Sequence, residues 1–307
     1  MKSPNNLICH YTSLKSCLGI VQNKSLWLTN LSSSNDRKEL FYSPANFLRM
    51  FSGIESSSSK NYFQRILDDN EEKFKSLANE YVFDLFSISF SKKKDYLPNW
   101  KMYGDDFKGV CFCFDRENLE KAVKGLFQIA YISEIMYSEK SRRTFIKENL
   151  DYYYSFAPDV FKNSDDEKII RFALLALSNI SFMLRCFSKT NHWQSENEVR
   201  LLFSSDRFLN QYNLLNRILQ EDQFKSKLQE KKEIDKTVDM ILEQNYAFFG
   251  NSIKQYRKLF LGENMSSMIP EIILGPMCQQ NKNEFEMFLK HYGFTGTIVT
   301  ESTIPIR

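Results

Sequence analysis

The sequence predicts an α+β fold in which a β-rich framework carries two helical insertions, at about 139–188 and 206–262. Three observations predict it. Residues 109–115, Gly-Val-Cys-Phe-Cys-Phe-Asp, are apolar on both faces, as in a strand buried between layers. Only 10 Gly and 7 Pro occur in 307 residues, too few for an all-β chain rich in tight turns or for a disordered one. Short strand-like runs recur along the chain and are interrupted by two long stretches with helical spacing. Length alone allows one large domain or two smaller ones, and the interrupted framework reads as a single domain over 1–307.

The elements follow in order. Leu7 to Cys9 form a short apolar strand that ends at His10. Thr12 or Ser13 can cap the next helix, where Leu14, Leu18 and Val21 recur on one face. Residues 25–29, Ser-Leu-Trp-Leu-Thr, read as a strand, and 30–36 as a polar turn. Residues 52–59, with four consecutive serines, read as a loop, and 60–81 has helical spacing. Strands are expected at 84–91 and 109–115, with a polar loop at 92–107 that holds Trp100 and Tyr103. One or two strands follow at 127–138, then the first helical insertion. Residues 198–203, Glu-Val-Arg-Leu-Leu-Phe, are a strand again. The second insertion alternates charge signs over 225–239, as a solvated helix face does. A strand at 269–275, a helix at 281–292 and a strand at 296–301 close the chain.

Composition excludes several classes. Net charge is +3, from 41 basic and 38 acidic residues, which is no signature of general nucleic-acid or membrane binding. No run reaches the length of a membrane span, since the apolar stretch at 172–177 is short and interrupted. The N-terminal residues lack the apolar core of a secretory signal, and the six cysteines read as reduced, buried thiols of a cytoplasmic protein. Neither GxGxxG nor GxxxxGK[ST] is present, nor are GxSxG, HExxH or the kinase set. The three histidines, His10, His192 and His291, are too few for most His-based metal sites, and no metal ligand set is expected. Carboxylates and one histidine remain as the simplest catalytic material.

Four constellations carry candidate chemistry. His10-Tyr11-Thr12 lies where a strand meets a helix and supplies donors and acceptors for sugar hydroxyls. Taken alone it is as readily a strand edge. Asn35-Asp36-Arg37-Lys38-Glu39 is a polar cluster, equally readable as a turn with Asp36 as a helix cap. Trp100 and Tyr103, if exposed in their loop, can stack on a flat ring, though loop aromatics more commonly pack on the core. In the run from His192 to Arg200, a strand would place Glu196, Glu198 and Arg200 on one face, where each tunes the others' ionisation. The plainer reading is an exposed edge-strand ion pair, which contributes little.

In this order the segments resemble a bacterial family catalogued as domain of unknown function 2971. The resemblance is carried by His10-Tyr11-Thr12, Leu26-Trp27-Leu28, Asn35-Asp36 with Glu39, Ser89-Phe90-Ser91, Trp100-x-x-Tyr103 and Gly109 with its strand. It continues through Lys189, Trp193-x-x-Glu196-x-Glu198-x-Arg200, Ile272-Ile273-Leu274-Gly275 and Ser302-Thr303-Ile304-Pro305. More distantly it is similar to the His-Tyr-Glu branch of the ADP-ribosyltransferase superfamily. There a His-x-Thr or His-x-Ser strand leads into a helix, and the catalytic Glu opens a later apolar strand, as in Asn197-Glu198-Val199-Arg200.

That resemblance implies an ADP-ribosyltransferase-like split β-sheet core and NAD⁺ as substrate. It implies that His10 holds a ribose hydroxyl, Thr12 orients ribose or carboxamide beside Tyr11, and Tyr103 or else Trp100 stacks on nicotinamide. Asn35 and Asp36 belong to the same implied binding surface. Glu198 would stabilise the positive charge that builds as the glycosidic bond breaks, with Glu196 or Arg200 positioning an acceptor. The acceptor stays open among protein, RNA, DNA, a small nucleotide and water, and such transferases often act in phage defence or as toxins. Three other readings stand beside this one. They are a nucleotide- or nucleic-acid-sensing module without turnover, a transferase moving phosphate from RNA to NAD⁺, and a scaffold whose helical insertions bind a protein partner. The phosphate transferase needs more arginines than Arg37 and Arg200.

Overall fold

The computed structural model describes residues 6–33, 42–79, 85–123, 130–156, 167–204, 245–249 and 252–306. Strand β1 (Leu7–Thr12) leads through helix α1 (Leu14–Asn23) into β2 (Ser25–Asn30). Ser13 caps α1 by accepting a hydrogen bond from the Ser16 amide at 3.1 Å. Helices α2 (Pro44–Ser52) and α3 (Ser58–Asn79) precede β3 (Leu85–Ser91), helix α4 (Leu97–Tyr103) and β4 (Val110–Asp115). Helix α5 (Arg116–Val123) and β5 (Ala130–Glu134) follow, then α6 (Glu139–Phe156) and α7 (Glu167–Cys186), which are the helices expected of the first insertion. Strands β6 (Glu198–Ser204), β7 (Asn245–Phe249), β8 (Ser252–Phe260), β9 (Glu271–Leu274) and β10 (Ile298–Glu301), with α8 (Met265–Met268) and α9 (Lys282–His291), complete the described chain.

Among the described residues ten strands join one open, mixed sheet, in which only β9 and β10 run parallel. Its centre is β3. Along one edge β3 pairs with β6 over its whole length, from Leu85↔Ser204 to Ser91↔Glu198, and β6 pairs in turn with β5. Along the other edge β3 meets two strands at its two ends. β1 touches it at Cys9↔Ser91, and β2 at Thr29↔Ser87 and Asn30↔Phe86. The sheet therefore divides beside Ser89. One arm continues through β1, β4, β9 and β10, the other through β2, β8 and β7.

Apolar side chains cover both faces. On one, α2, α3, α6 and α7 pack over Leu85 and Leu202 in a core that includes Phe47, Phe63, Phe74 and Leu177. On the other, α1, α5 and α9 pack over Ile8, Phe86, Phe90, Phe114 and Leu201. A smaller cluster of Cys9, Tyr11, Trp100, Cys111, Cys113 and Ile273 sits where α4 covers the β1–β4 arm.

Three expectations are corrected. The segment 92–107 is not a loop throughout: α4 forms there, with Pro98 in its first turn, where no amide is needed. The second insertion is not helical to 262. Residues 205–244 lie outside the described set, and β7 and β8 pair antiparallel, with β8 also pairing along β2. The period-two signal of β8 is hidden because Arg257 occupies a buried position, its guanidinium 4.8 Å from the centre of the Phe86 ring. Finally, Ile169–Cys186 is long and apolar enough to cross a membrane by length and composition, against the expectation that no run qualifies. That window is 78% buried inside the protein, so its apolar character is explained by the core it fills.

Candidate functional site

The site grows from the alternation of two paired strands. Because Ser89 faces Arg200 and Ser91 faces Glu198, these four side chains share one face of the sheet. Val199, Leu201, Ile88 and Phe90 take the other face and go into the core. Glu198 and Arg200 are 3% and 1% exposed, and β6 lies between β3 and β5. The exposed edge-strand ion pair is thereby excluded.

Glu198 Oε1 accepts from the Ser89 hydroxyl at 2.6 Å and from Arg200 Nε at 2.9 Å. Its other oxygen lies 2.8 Å from Lys189 Nζ. Burial alone would raise the Glu198 pKa, but Arg200, Lys189 and the Ser89 hydrogen bond overcome it and bring it to about 2. The carboxylate is therefore ionised throughout the neutral range. Arg200 is itself fixed by donating from Nη1 to the Cys186 carbonyl, at the end of α7, at 2.6 Å.

Glu196 reaches the same lysine by a different route from the one expected. It ends a 3₁₀ segment, Asn191–Glu196, and Asn197 turns the chain through a left-handed conformation with φ 46° before β6 begins. Its Oε2 lies 3.1 Å from Lys189 Nζ, and its Oε1 accepts from the Tyr103 hydroxyl. Two carboxylates and two cations thus balance in one buried cluster between the helical core and the cysteine-lined one.

His10 lies within β1 rather than at its end. Strand alternation puts it on the Phe90 face, opposite Glu198, and its ring meets Phe90 edge-on at 5.8 Å. Its Nδ1 is 3.0 Å from the Ser89 carbonyl, at the division of the sheet. A carbonyl only accepts, so Nδ1 is assigned the proton and Nε2 the lone pair. Burial lowers the His10 pKa, which favours this neutral form. Ser89 is therefore the link between the two expected catalytic residues: its backbone meets His10 and its side chain meets Glu198.

The remaining expectations divide. Tyr103 is half-buried beside the cluster. Trp100 is 0% exposed, with Nε1 donating to Asp95 at 2.8 Å, so it is a core residue and not an exposed stacking platform. Tyr11 packs edge-on against Trp100, and its hydroxyl donates to the Lys93 carbonyl at 2.8 Å, which commits it to anchoring the chain before α4. Thr12 ends β1, opposite Val110. Asn35 and Asp36 lie outside the described residues.

The sequence resemblance quoted Ser89 and Lys189 without a role, and nothing in the sequence singled out Tyr137 or Arg142. Tyr137 accepts from the Glu198 amide through its hydroxyl at 2.9 Å, and Arg142 donates to the Lys189 carbonyl at 2.6 Å. Only the alternation of Ser89 and Ser91 could have been matched to that of Glu198 and Arg200, and that match needs the register. A cavity of about 230 Å³ opens beside the cluster, lined by Lys92, Glu134, Tyr137, Gln194, Asn197 and Glu198.

Residues 99–201 match the family model Protein of unknown function (DUF2971). The match to DUF2971 runs from α4 into β6. It takes in Tyr103, Lys189, Glu196, Glu198 and Arg200, while His10 and Ser89 fall before it. No curated protein and no solved structure matches the chain.

Proposed function

We propose that the chain is an NAD-dependent ADP-ribosyltransferase-like enzyme. It would break the nicotinamide–ribose bond of NAD⁺ and pass ADP-ribose to an acceptor. One observation supports this reading most: Glu198 is held ionised inside the protein, beside the division of the sheet, by Ser89, whose carbonyl meets His10 from the other face. A fixed negative charge in a water-poor site stabilises the oxocarbenium character that develops as a glycosidic bond breaks. In this reading Glu198 accepts from the ribose 2′-hydroxyl and Tyr103 supplies the aromatic face on the same side of the sheet, while His10, on the opposite face, holds the backbone of Ser89, whose hydroxyl orients Glu198. The cavity beside Glu198 is smaller than the 300–1,000 Å³ typical of ligand sites, so it takes only part of a dinucleotide. The rest would lie along the divided sheet.

The test is incubation of wild type and Glu198→Gln with NAD⁺ and cell extract, following nicotinamide release and labelled ADP-ribose. Wild type is expected to release nicotinamide, and the variant to lose at least about a hundredfold of the rate. Circular dichroism checks that the variant is folded. Ser89→Ala, which keeps every charge, is expected to lose a smaller but measurable part. An active, folded Glu198→Gln protein would remove the assignment.

The near-complete burial of Glu198 favours a second reading, a nucleotide-binding module without turnover, because substrate must displace Ser89 or Lys189 to reach the carboxylate. Nucleotide binding retained by Glu198→Gln, with no nicotinamide released by wild type, selects it.

A further inference from the structure

We infer that Cys9, Cys111 and Cys113 form a three-thiolate site for one thiophilic metal ion, zinc or copper(I). β1 and β4 pair with Cys9 opposite Cys113 and Tyr11 opposite Cys111, so alternation puts all four side chains on one face. The three sulfurs lie within 4.8 Å of one another, and Cys9 Sγ is 3.7 Å from Cys113 Sγ. All three residues are buried, walled by Tyr11, Trp100 and Ile273.

The spacing is the argument. With a metal–sulfur bond of about 2.3 Å, neighbouring thiolates stand roughly 3.8 Å apart around a tetrahedral ion and roughly 4.0 Å apart around a trigonal one. Cys9 and Cys113 already stand at 3.7 Å and no pair exceeds 4.8 Å, so binding needs shifts of at most about 1 Å within a pair of strands. Thiolate is the ligand that selects zinc and copper(I) over harder ions. Each thiol releases its proton as it ligates, and the charge gathers where Lys94 stands, paired at 2.6 Å with Glu271. Glu271 is the register partner of Cys113 on β9 and lies on the same face, so it can offer zinc a fourth, oxygen ligand. Copper(I) needs only the three sulfurs. Cysteines that merely fill space pack as small apolar groups anywhere in a core. Here three of the chain's six converge on one point, with the Lys94–Glu271 pair beside it.

The site belongs to a different function from the Glu198 cluster and does not rest on it. The two adjoin through Tyr103, which packs against the cysteine cluster and holds Glu196. A bound ion would stiffen β1, β4 and α4 together.

The experiment uses the full chain, purified reduced and metal-free, then loaded with zinc or, without oxygen, with copper(I). Elemental analysis after gel filtration is expected to find one ion per chain for at least one of the two metals, and the metal retained names the occupant. Cys113→Ser and Cys9→Ser should lose it, while Cys278→Ser should keep it. Because a buried Cys→Ser change can impair folding, X-ray absorption at the metal edge of the loaded wild type decides independently. Three sulfur neighbours support the site. Retention of neither ion, equal retention by all variants, or a shell of nitrogen and oxygen alone overturns it.

Discussion

At the scale of single residues, Glu198 carries a consequence for stability as well as for chemistry. Its folded pKa is about 2 against an ordinary 4.5, so the folded state binds its proton less readily than the unfolded one. A depressed carboxylate stabilises the fold fully above its unfolded value and loses that contribution as pH falls through the folded one. The difference corresponds to about 3 kcal/mol, present above about pH 5 and largely gone near pH 2. Urea melts across that range should therefore show a steep loss in wild type and a shallower one in Glu198→Gln. Equal slopes would mean that Arg200 and Lys189 do not hold the carboxylate as the geometry says. The variant also has a cost at neutral pH, since it leaves Arg200 facing an amide and Lys189 with Glu196 as its remaining carboxylate in the cluster, and this is expected to destabilise it by about 3 kcal/mol. For that reason the folding check in the turnover experiment is part of the measurement. Ser89 is the milder probe, because removing a hydroxyl leaves the charges balanced.

At the scale of elements, β1, β4 and the turn before it are held by backbone contact that leaves no room for a side chain at Gly109. A Cβ there would stand 2.0 Å from the Thr12 carbonyl and 2.9 Å from that of Gly104, both backbone atoms that cannot swing aside. Gly109→Ala is accordingly expected to cost at least about 2 kcal/mol, read as a lowered urea midpoint, and an unchanged midpoint would mean that β1 can slide relative to β4. This arm was legible from sequence because β4 is apolar on both faces, a pattern that only a buried strand explains. Other elements were hidden for physical reasons. Helix α4 has only seven residues, too few for periodicity to register, and its defining side chain, Trp100, is polar enough at Nε1 to pass for a loop aromatic. Strand β8 buries Arg257 where an aliphatic residue would have announced alternation. The candidate site divides in the same way. Glu198 and Arg200 could be read from their spacing in one strand. Ser89 and Lys189 could not, because what they do depends on register and on the turn after α7. The three cysteines escape spacing rules altogether, since Cys9 lies about a hundred residues before the other two and joins them only through β-pairing.

At the scale of the molecule, one sheet separates two large apolar cores, and its central strands belong to both. Leu85 and Leu202 enter the helical core, while Phe86, Ile88, Leu201 and Phe203, on the opposite face of the same strands, enter the other. Neither core can be dismantled without exposing the back of β3 and β6, and Arg200 adds a direct tie from β6 to the end of α7. The helical layer and the sheet should therefore unfold together. The chain provides a clean reporter, because its three tryptophans, Trp27, Trp100 and Trp193, all lie outside α2, α3, α6 and α7. Tryptophan fluorescence follows the sheet and the site, and far-ultraviolet circular dichroism is weighted toward the long helices. The two are expected to give one coincident transition in denaturant. Leu177→Ala, a truncation at a fully buried position of α7, should lower the stability by about 3 kcal/mol and shift both signals equally, although no tryptophan lies in its core. If only circular dichroism moved, the helical layer would be an independent unit. The tie from Arg200 to α7 would then be a contact between two domains rather than a joint within one.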